Sequence, residues 1–238
     1  MKNNKKVFIL GASSDIGLSI MRIYQKYNYK VLAHYNNGNK NFFEYTKKNK
    51  IKTIKFNFLT SNRKIEKFAK KKEFKKYGIL INASAHIKEI SFTNTKIKDL
   101  EDIFKVNFYP YLILMQNMGL EMNKTKWGRF VNLGSIGVKF GGGLKNFPYS
   151  LSKFLLEFFP HQTKYWVKNN VLINTIRVGA TKTKLHLKLP SKNLKKRAKL
   201  IPLKRFATTD EIAEFVYFLG SDLNTYISNQ VLSISGGE

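Results

Sequence analysis

Short apolar runs alternate with amphipathic stretches from one end of this chain to the other. KVFIL (6–10) reads as a buried strand closed by a Gly/Ser turn, and behind it Ile16, Ile20, Ile23, Tyr24 and Tyr27 share one face at helical spacing. YKVLAHY (29–35) predicts a second strand, NFFEYTKKN (41–49) a helix and IKTIKFNF (51–58) a third strand. SNRKIEKFAKKKEFKKYG (61–78) is the most basic stretch, yet Ile65, Phe68, Ala69 and Tyr77 fit a helix whose lysines face solvent. GILINASA (78–85) predicts strand four, a long helix follows over 98–122, and GRFVNLGS (128–135) predicts strand five. After a helix opening at Tyr149 come the strand VLINTIRV (171–178), a basic segment, the helix TDEIAEFVYFLGS (209–221) and a last strand, QVLSISGG (230–237).

Strands and helices in this alternation predict an α/β chain: a doubly wound, mostly parallel, Rossmann-like sheet with helices on both faces. Ligands of such sheets bind at the carboxyl ends of the strands. That puts GASSDIG (11–17), the end of LINASA (80–85), Ser135 and the loop after Val178 along one rim. No repeat, linker or low-complexity tract divides the 238 residues, so a single domain over 1–238 is expected.

Composition supports a folded globule, with 43% hydrophobic and 14% aromatic residues. The absence of cysteine excludes disulfides and thiolate metal sites. The longest apolar stretch, YPYLILM, is too short to span a bilayer, and the basic start lacks a signal-type apolar run, so a cytoplasmic protein is expected. The net charge of +28 invites a nucleic-acid reading. Two features weaken it. Arginine, the better bidentate reader of phosphates, supplies six of the 43 basic residues, and the lysines are spread over the chain among Asn, Ile, Phe and Tyr. Those residue types share A/T-rich codons, and we ascribe most of the basicity to that bias.

Two motifs carry chemistry. Gly11 and Gly17 bracket GASSDIG between a strand and a helix, where a tight turn and a helix N-terminus could hold a pyrophosphate. The same turn also fits an ordinary strand-to-helix connection capped by Ser13, Ser14 or Asp15. Tyr149 precedes Lys153 by four residues, one helical turn, so an ammonium can lie beside a phenol. Chance alone supplies about two such pairs in so Tyr- and Lys-rich a chain, so the spacing needs company. Ser135 invites a hydrolase reading, but Leu133 stands where a nucleophile elbow needs glycine, and neither His161 nor His186 has a motif pairing it with the serine.

The company is GASSDIG, NASA after strand four, VNF (106–108), Ser135 closing strand five, Tyr149-x-x-x-Lys153, and the tail from IPLKRF to SGGE. Together, in this order, they resemble the short-chain dehydrogenase/reductase family over the whole chain, nearest its 3-oxoacyl-carrier-protein reductase branch. The resemblance implies a nicotinamide cofactor and hydride transfer between it and a carbonyl or alcohol. It implies Tyr149 as proton donor in reduction, Lys153 as its partner, Ser135 as holder of the substrate oxygen and Asn107 as the fourth member of a proton relay through water. Gly11, Ser13, Ser14, Asp15, Ile16, Gly17, Tyr35, Asn36, Asn57, Phe58, Asn82 and Thr183 would join Tyr149 and Lys153 in holding the cofactor; no metal is expected. On physical grounds the ammonium should favour the phenolate and draw the tyrosine from its ordinary pKa of about 10 towards neutrality.

Four positions depart from the pattern: Val178 stands for a proline, Asn57 for an aspartate, NASA for Asn-Asn-Ala-Gly, and Pro160 falls inside the expected Tyr149 helix, predicting a bend beyond Lys153. Asp15 stands where a glycine is usual. AHYNNGNK after strand two has no acid before Glu44 and has Lys40 within reach, which favours NADP(H) over NAD(H). The basic segment 182–202 holds the family's substrate-covering position and contains no acid, which suits an anionic or carrier-bound substrate as well as the general lysine bias. A homotetramer through the helices at 98–122 and 149–168 is implied by the family. The alternative is a cofactor-binding member with a regulatory or nucleic-acid-associated role.

Overall fold

The computed structural model describes residues 5–184 and 191–238. Its strands are β1 (Lys6–Leu10), β2 (Lys30–Tyr35), β3 (Lys52–Lys55), β4 (Ile79–Asn82), β5 (Gly128–Leu133), β6 (Val171–Val178) and β7 (Gln230–Ile234). The helices are α1 (Asp15–Lys26), α2 (Lys40–Lys48), α3 (Asn62–Ala69), α4 (Ile97–Asn107), α5 (Tyr109–Lys124), α6 (Phe147–Phe154), α7 (Gln162–Val167), α8 (Ser191–Leu200) and α9 (Thr209–Gly220). All seven strands run parallel in the order β3-β2-β1-β4-β5-β6-β7. The chain leaves the β3 edge and re-enters beyond β1 as β4, so the winding reverses between β1 and β4, where such sheets open a crevice.

The central strands β1 and β4 read as nearly unbroken apolar runs because both of their faces are covered. Val7 and Ile9 of β1, Val31 and Ala33 of β2 and Ile79 and Ile81 of β4 pack with α1 and α9 residues such as Ile20, Tyr24, Ile212 and Val216. The intervening Phe8, Leu10, Leu32 and Leu80 point the other way, into a layer with Phe68, Leu114, Met118 and Trp166. Side-chain period two thus builds two cores from one sheet. The α3 residues Ile65, Phe68 and Ala69 and neighbouring Tyr77 are buried as their spacing required.

Four expectations need correction. The third strand is four residues long, an exposed edge, and Asn57 and Phe58 lie beyond it. The basic helix stops at Ala69 and resumes as a 3-10 turn at Lys72–Lys76. The long helix over 98–122 is two, parted at Phe108 (φ −126°, ψ −55°), because Pro110 at the start of α5 has no N–H to offer the carbonyl of Val106. Pro160 also acts differently from a mid-helix kink. The Tyr149 helix ends at Phe154, passes through a 3-10 turn at Leu155–Glu157, and restarts as α7 only at Gln162, so the proline lies in the gap between helices.

Candidate active site

The glycine turn is built as a cradle. Gly11 has φ +70°, and a Cβ there would stand 2.6 Å from the Ala83 carbonyl oxygen, so glycine is required twice over. Ser14 is the N-cap of α1: its Oγ accepts from Gly17 N–H at 3.0 Å and donates to Gly11 O at 2.8 Å. A Cβ on Gly17 would run into the Gly11 carbonyl. The capping and phosphate-cradling readings of the turn are therefore compatible. By position, the N–H groups of Asp15 and Ile16 in the first turn of α1 have no intrahelical acceptor, which suits an anion. Ser13 Oγ donates to Asn37 O at 2.9 Å, tying the turn to the loop that leaves β2.

A residue that sequence reasoning missed lies under this turn. Buried His34 accepts from Gly11 N–H at Nδ1 (3.2 Å), and its Nε2 lies 3.0 Å from Phe56 O, which makes Nε2 the protonated nitrogen. Burial pushes its pKa down to about 4, partly opposed by the Phe56 bond. Its ring packs 4.6 Å from that of Phe58, so the Phe58 side chain is core, and only its main chain could meet a cofactor. Exposed Asn57 turns its Oδ1 onto Leu59 N–H at 2.9 Å. Tyr35 closes β2 with its ring against Phe42 and Phe43, and half-buried Asn36 follows it. Thr183 follows β6, and the next residue, Lys184, donates its N–H to Asp15 Oδ2 at 2.6 Å, which brings Thr183 to the dinucleotide turn.

Across the rim, Ser135 caps a 3-10 turn (Ile136–Phe140) by accepting from Gly137 N–H at 3.1 Å, and it lies near enough to the Tyr149 phenol to favour the phenolate and lower its pKa. Lys153 is buried on the same side of α6, its Nζ 5.7 Å from the Tyr149 ring centroid. The ammonium donates to Leu133 O at 2.8 Å and Ser84 O at 3.2 Å, the carboxyl ends of β5 and β4. Ser135, Tyr149 and Lys153 therefore converge as the motif required.

The direction of the tyrosine's shift is a correction. Burial pushes Tyr149 up to about 12 against the lowering effect of Ser135, and burial brings Lys153 down to about 8. Removal from water outweighs the attraction expected of a neighbouring ammonium, whose nitrogen is turned onto peptide carbonyls.

Asn107 serves a framework. Its Oδ1 accepts from His86 N–H at 2.7 Å, and its Nδ2 donates to His86 O at 3.1 Å and Ser152 Oγ at 2.8 Å. Ser152 in turn donates to Tyr149 O at 2.6 Å. Its main-chain carbonyl, at the break between α4 and α5, receives Asn82 Nδ2 at 3.4 Å. Ser84 Oγ lies 2.6 Å from Asn82 Oδ1 and 3.1 Å from the Val106 carbonyl, which Pro110 left without a helical donor, and its single proton serves these two acceptors between them. Ser84 and Ser152 were absent from the expected set. The signal for Ser152 was present: a helical serine three residues after Tyr149 can reach back to its carbonyl. His161 is exposed against Tyr165, and His186 lies outside the described residues. Among the described residues no cluster of His, Asp and Glu could hold a metal ion, and no helix is long and apolar enough to cross a membrane.

The family model described as enoyl-(acyl carrier protein) reductase matches residues 11–238. The 3-oxoacyl-(acyl-carrier-protein) reductase FabG of Buchnera aphidicola subsp. Acyrthosiphon pisum is 30% identical over 242 residues, 99% of this chain and 97% of that protein. That of Aquifex aeolicus is 33% identical over 160 residues, 67% of this chain and 64% of that protein. In fold, the chain superimposes on a 3-oxoacyl (acyl-carrier-protein) reductase of Agrobacterium tumefaciens C58 solved with NADP bound, with TM-score 0.85 and 17% identity over 98% of this chain and 93% of that one. With a match across nearly its whole length, over a seven-stranded parallel sheet and a converging Ser–Tyr–Lys set, this chain belongs to the short-chain dehydrogenase/reductase family.

Proposed function

We propose that this protein is an NADPH-dependent reductase of a ketone carbonyl, with a 3-oxoacyl thioester as the substrate class. The convergence of Ser135, Tyr149 and Lys153 at the carboxyl ends of β4 and β5, on the same rim as the Gly11–Gly17 cradle, carries this reading. When bound, the cofactor supplies the hydride. Gly11, Ser14, Gly17 and the first N–H groups of α1 would seat its diphosphate, with Thr183 towards its nicotinamide end. Lys40, Ser13 and Asn36 would face a 2′-phosphate, and the sequence after β2 carries no acid before Glu44, which Lys40 meets at 3.8 Å. The relatives named as FabG reduce 3-oxoacyl groups on a carrier protein by their names, and an acetoacetyl-CoA reductase of Acinetobacter sp. (strain RA3849) is 27% identical over 161 residues, 67% of this chain and 64% of that protein.

The pKa pattern suits reduction. A phenol held up to about 12 keeps its proton at neutral pH and so remains a donor until an oxyanion develops against it. Ser135 donates to the same oxygen and orients it. Lys153, down at about 8, stays charged at neutral pH yet is poised to return a proton towards Tyr149. Asn107 fixes the loop after β4 against α6 with its side chain and offers its main-chain carbonyl for a water-linked proton path. The apolar rim side chains Phe92, Phe140 and Leu144, on the loops after β4 and β5, suit an acyl chain. The exposed Leu120 of α5 and Phe154 and Phe158 at the end of α6 suit burial between subunits of a homotetramer in the cytoplasm, which light scattering would test.

The decisive experiment follows NADPH oxidation with acetoacetyl thioesters on coenzyme A and on acyl carrier protein, beside Tyr149→Phe. Turnover by the wild type alone supports the proposal; equal turnover by both proteins removes it. A regulatory or nucleic-acid role is disfavoured by the intact catalytic set, and strong salt-dependent DNA binding without reductase activity would reinstate it.

A further inference from the structure

The first turn of α1 is the positive end of a helix and the seat given above to a diphosphate, yet it carries an acid. Asp15 is half-buried, and its Oδ2 reaches across 169 positions of sequence to accept the main-chain N–H of Lys184 at 2.6 Å. The stretch it holds has a fixed root on the sheet. Thr181 Oγ1 donates to Gly179 O at 3.0 Å, and Lys182 N–H donates to Ala207 O at 2.8 Å. Thr183 therefore lies between an anchor on the β6 side and a second anchor on the glycine turn. A glycine at position 15 has no side chain with which to make the second one.

We propose that Asp15 is a positioning residue that moors the backbone at Thr183–Lys184 to the dinucleotide turn. The diphosphate seat and the nicotinamide end of the cleft thereby hold a fixed relation before any cofactor arrives. The second part of this statement rests on the cofactor reading above; the mooring itself does not. A carboxylate makes a stronger acceptor than an amide, but it also sets a negative charge beside the place where phosphates must dock.

Asp15→Asn and Asp15→Ala remove the same charge, and only asparagine keeps an acceptor oxygen. Amide hydrogen exchange at Lys184 in the cofactor-free protein should be about tenfold faster in Asp15→Ala than in wild type, and within about threefold of wild type in Asp15→Asn. NADPH should bind Asp15→Asn about threefold more tightly than Asp15→Ala, because the matched charge leaves the hydrogen bond as the difference. Unchanged exchange in Asp15→Ala, or equal NADPH affinity in the two variants, overturns the proposal. If NADPH binds neither the variants nor the wild type while the order of exchange rates holds, the mooring stands and the cofactor reading falls.

Discussion

In the proposed reduction, a phenol held up to about 12 and an ammonium brought down to about 8, one helical turn apart, would divide the labour of proton transfer. Tyr149→Phe keeps the ring and loses the proton, so kcat should fall by about 10³-fold, while NADPH affinity stays within about twofold of wild type. The lysine sets the pH profile of ketone reduction. It stays charged below its pKa and loses the charge above it, so kcat/KM should be level at neutral pH and decline as pH rises through about 8. A profile still level at about pH 10 would remove Lys153 from the mechanism. His34 gives a second titration, this one in stability. Its folded value of about 4 lies below the ordinary 6.5, so the unfolded chain takes up the proton first as pH falls. Its contribution is complete above the unfolded value and is lost as pH drops through about 4, a change of about 3 kcal/mol. In His34→Asn, whose Oδ1 can replace Nδ1 as acceptor for Gly11, urea unfolding at pH 7 and pH 4 should show about 3 kcal/mol less acid sensitivity than in wild type.

Between elements, the site depends on where helices stop. The break after Asn107 exposes two carbonyls to the loop beyond β4, and Ser84 and Asn82 take them up. This was hidden in the sequence even though Pro110 stood in plain view, because a proline shows where a donor is missing but not which distant hydroxyl will serve the orphaned acceptor. The end of α6 is held differently. Arg177 of β6 grips nearly buried Glu157 in a two-pronged pair, both bonds 2.7 Å long. Glu157→Ala should lower stability by about 2 kcal/mol in chemical unfolding, since it leaves a half-buried guanidinium without its partner. At the first turn, Gly11→Ala demands both φ +70° and a Cβ pressed on Ala83 O. It should destabilise the fold by about 1–3 kcal/mol and abolish NADPH binding by titration.

At the scale of the whole molecule, the parallel, doubly wound sheet and the placing of the rim were legible because both follow from alternation: apolar runs of strand length between amphipathic helices leave little choice of fold class. The candidate serine, tyrosine and lysine were legible because several motifs in a fixed order pointed to them together, where the Tyr–Lys spacing alone did not. His34, Ser84 and Ser152 were not, because their work is to serve backbone groups, and any of many polar residues could look suited to that. The tyrosine's pKa was misjudged for a related reason: a sequence shows the neighbouring charge but not the loss of water. The charge of +28 makes one prediction at this scale. If the substrate rides on an acidic carrier protein, its KM should rise about tenfold between about 50 and 500 mM salt, whereas that of an uncharged ketone should hold steady. Equal salt response would leave the basicity without a part in recognition. One last consequence follows from the seat of Lys153. Its ammonium rests on the peptide oxygens of residues 84 and 133, atoms that every amino acid possesses. A genome drifting towards A/T-rich codons can rewrite side chains over most of the surface, but no codon change deletes a peptide oxygen, so the heart of the enzyme is sheltered from the drift that has recoloured its exterior.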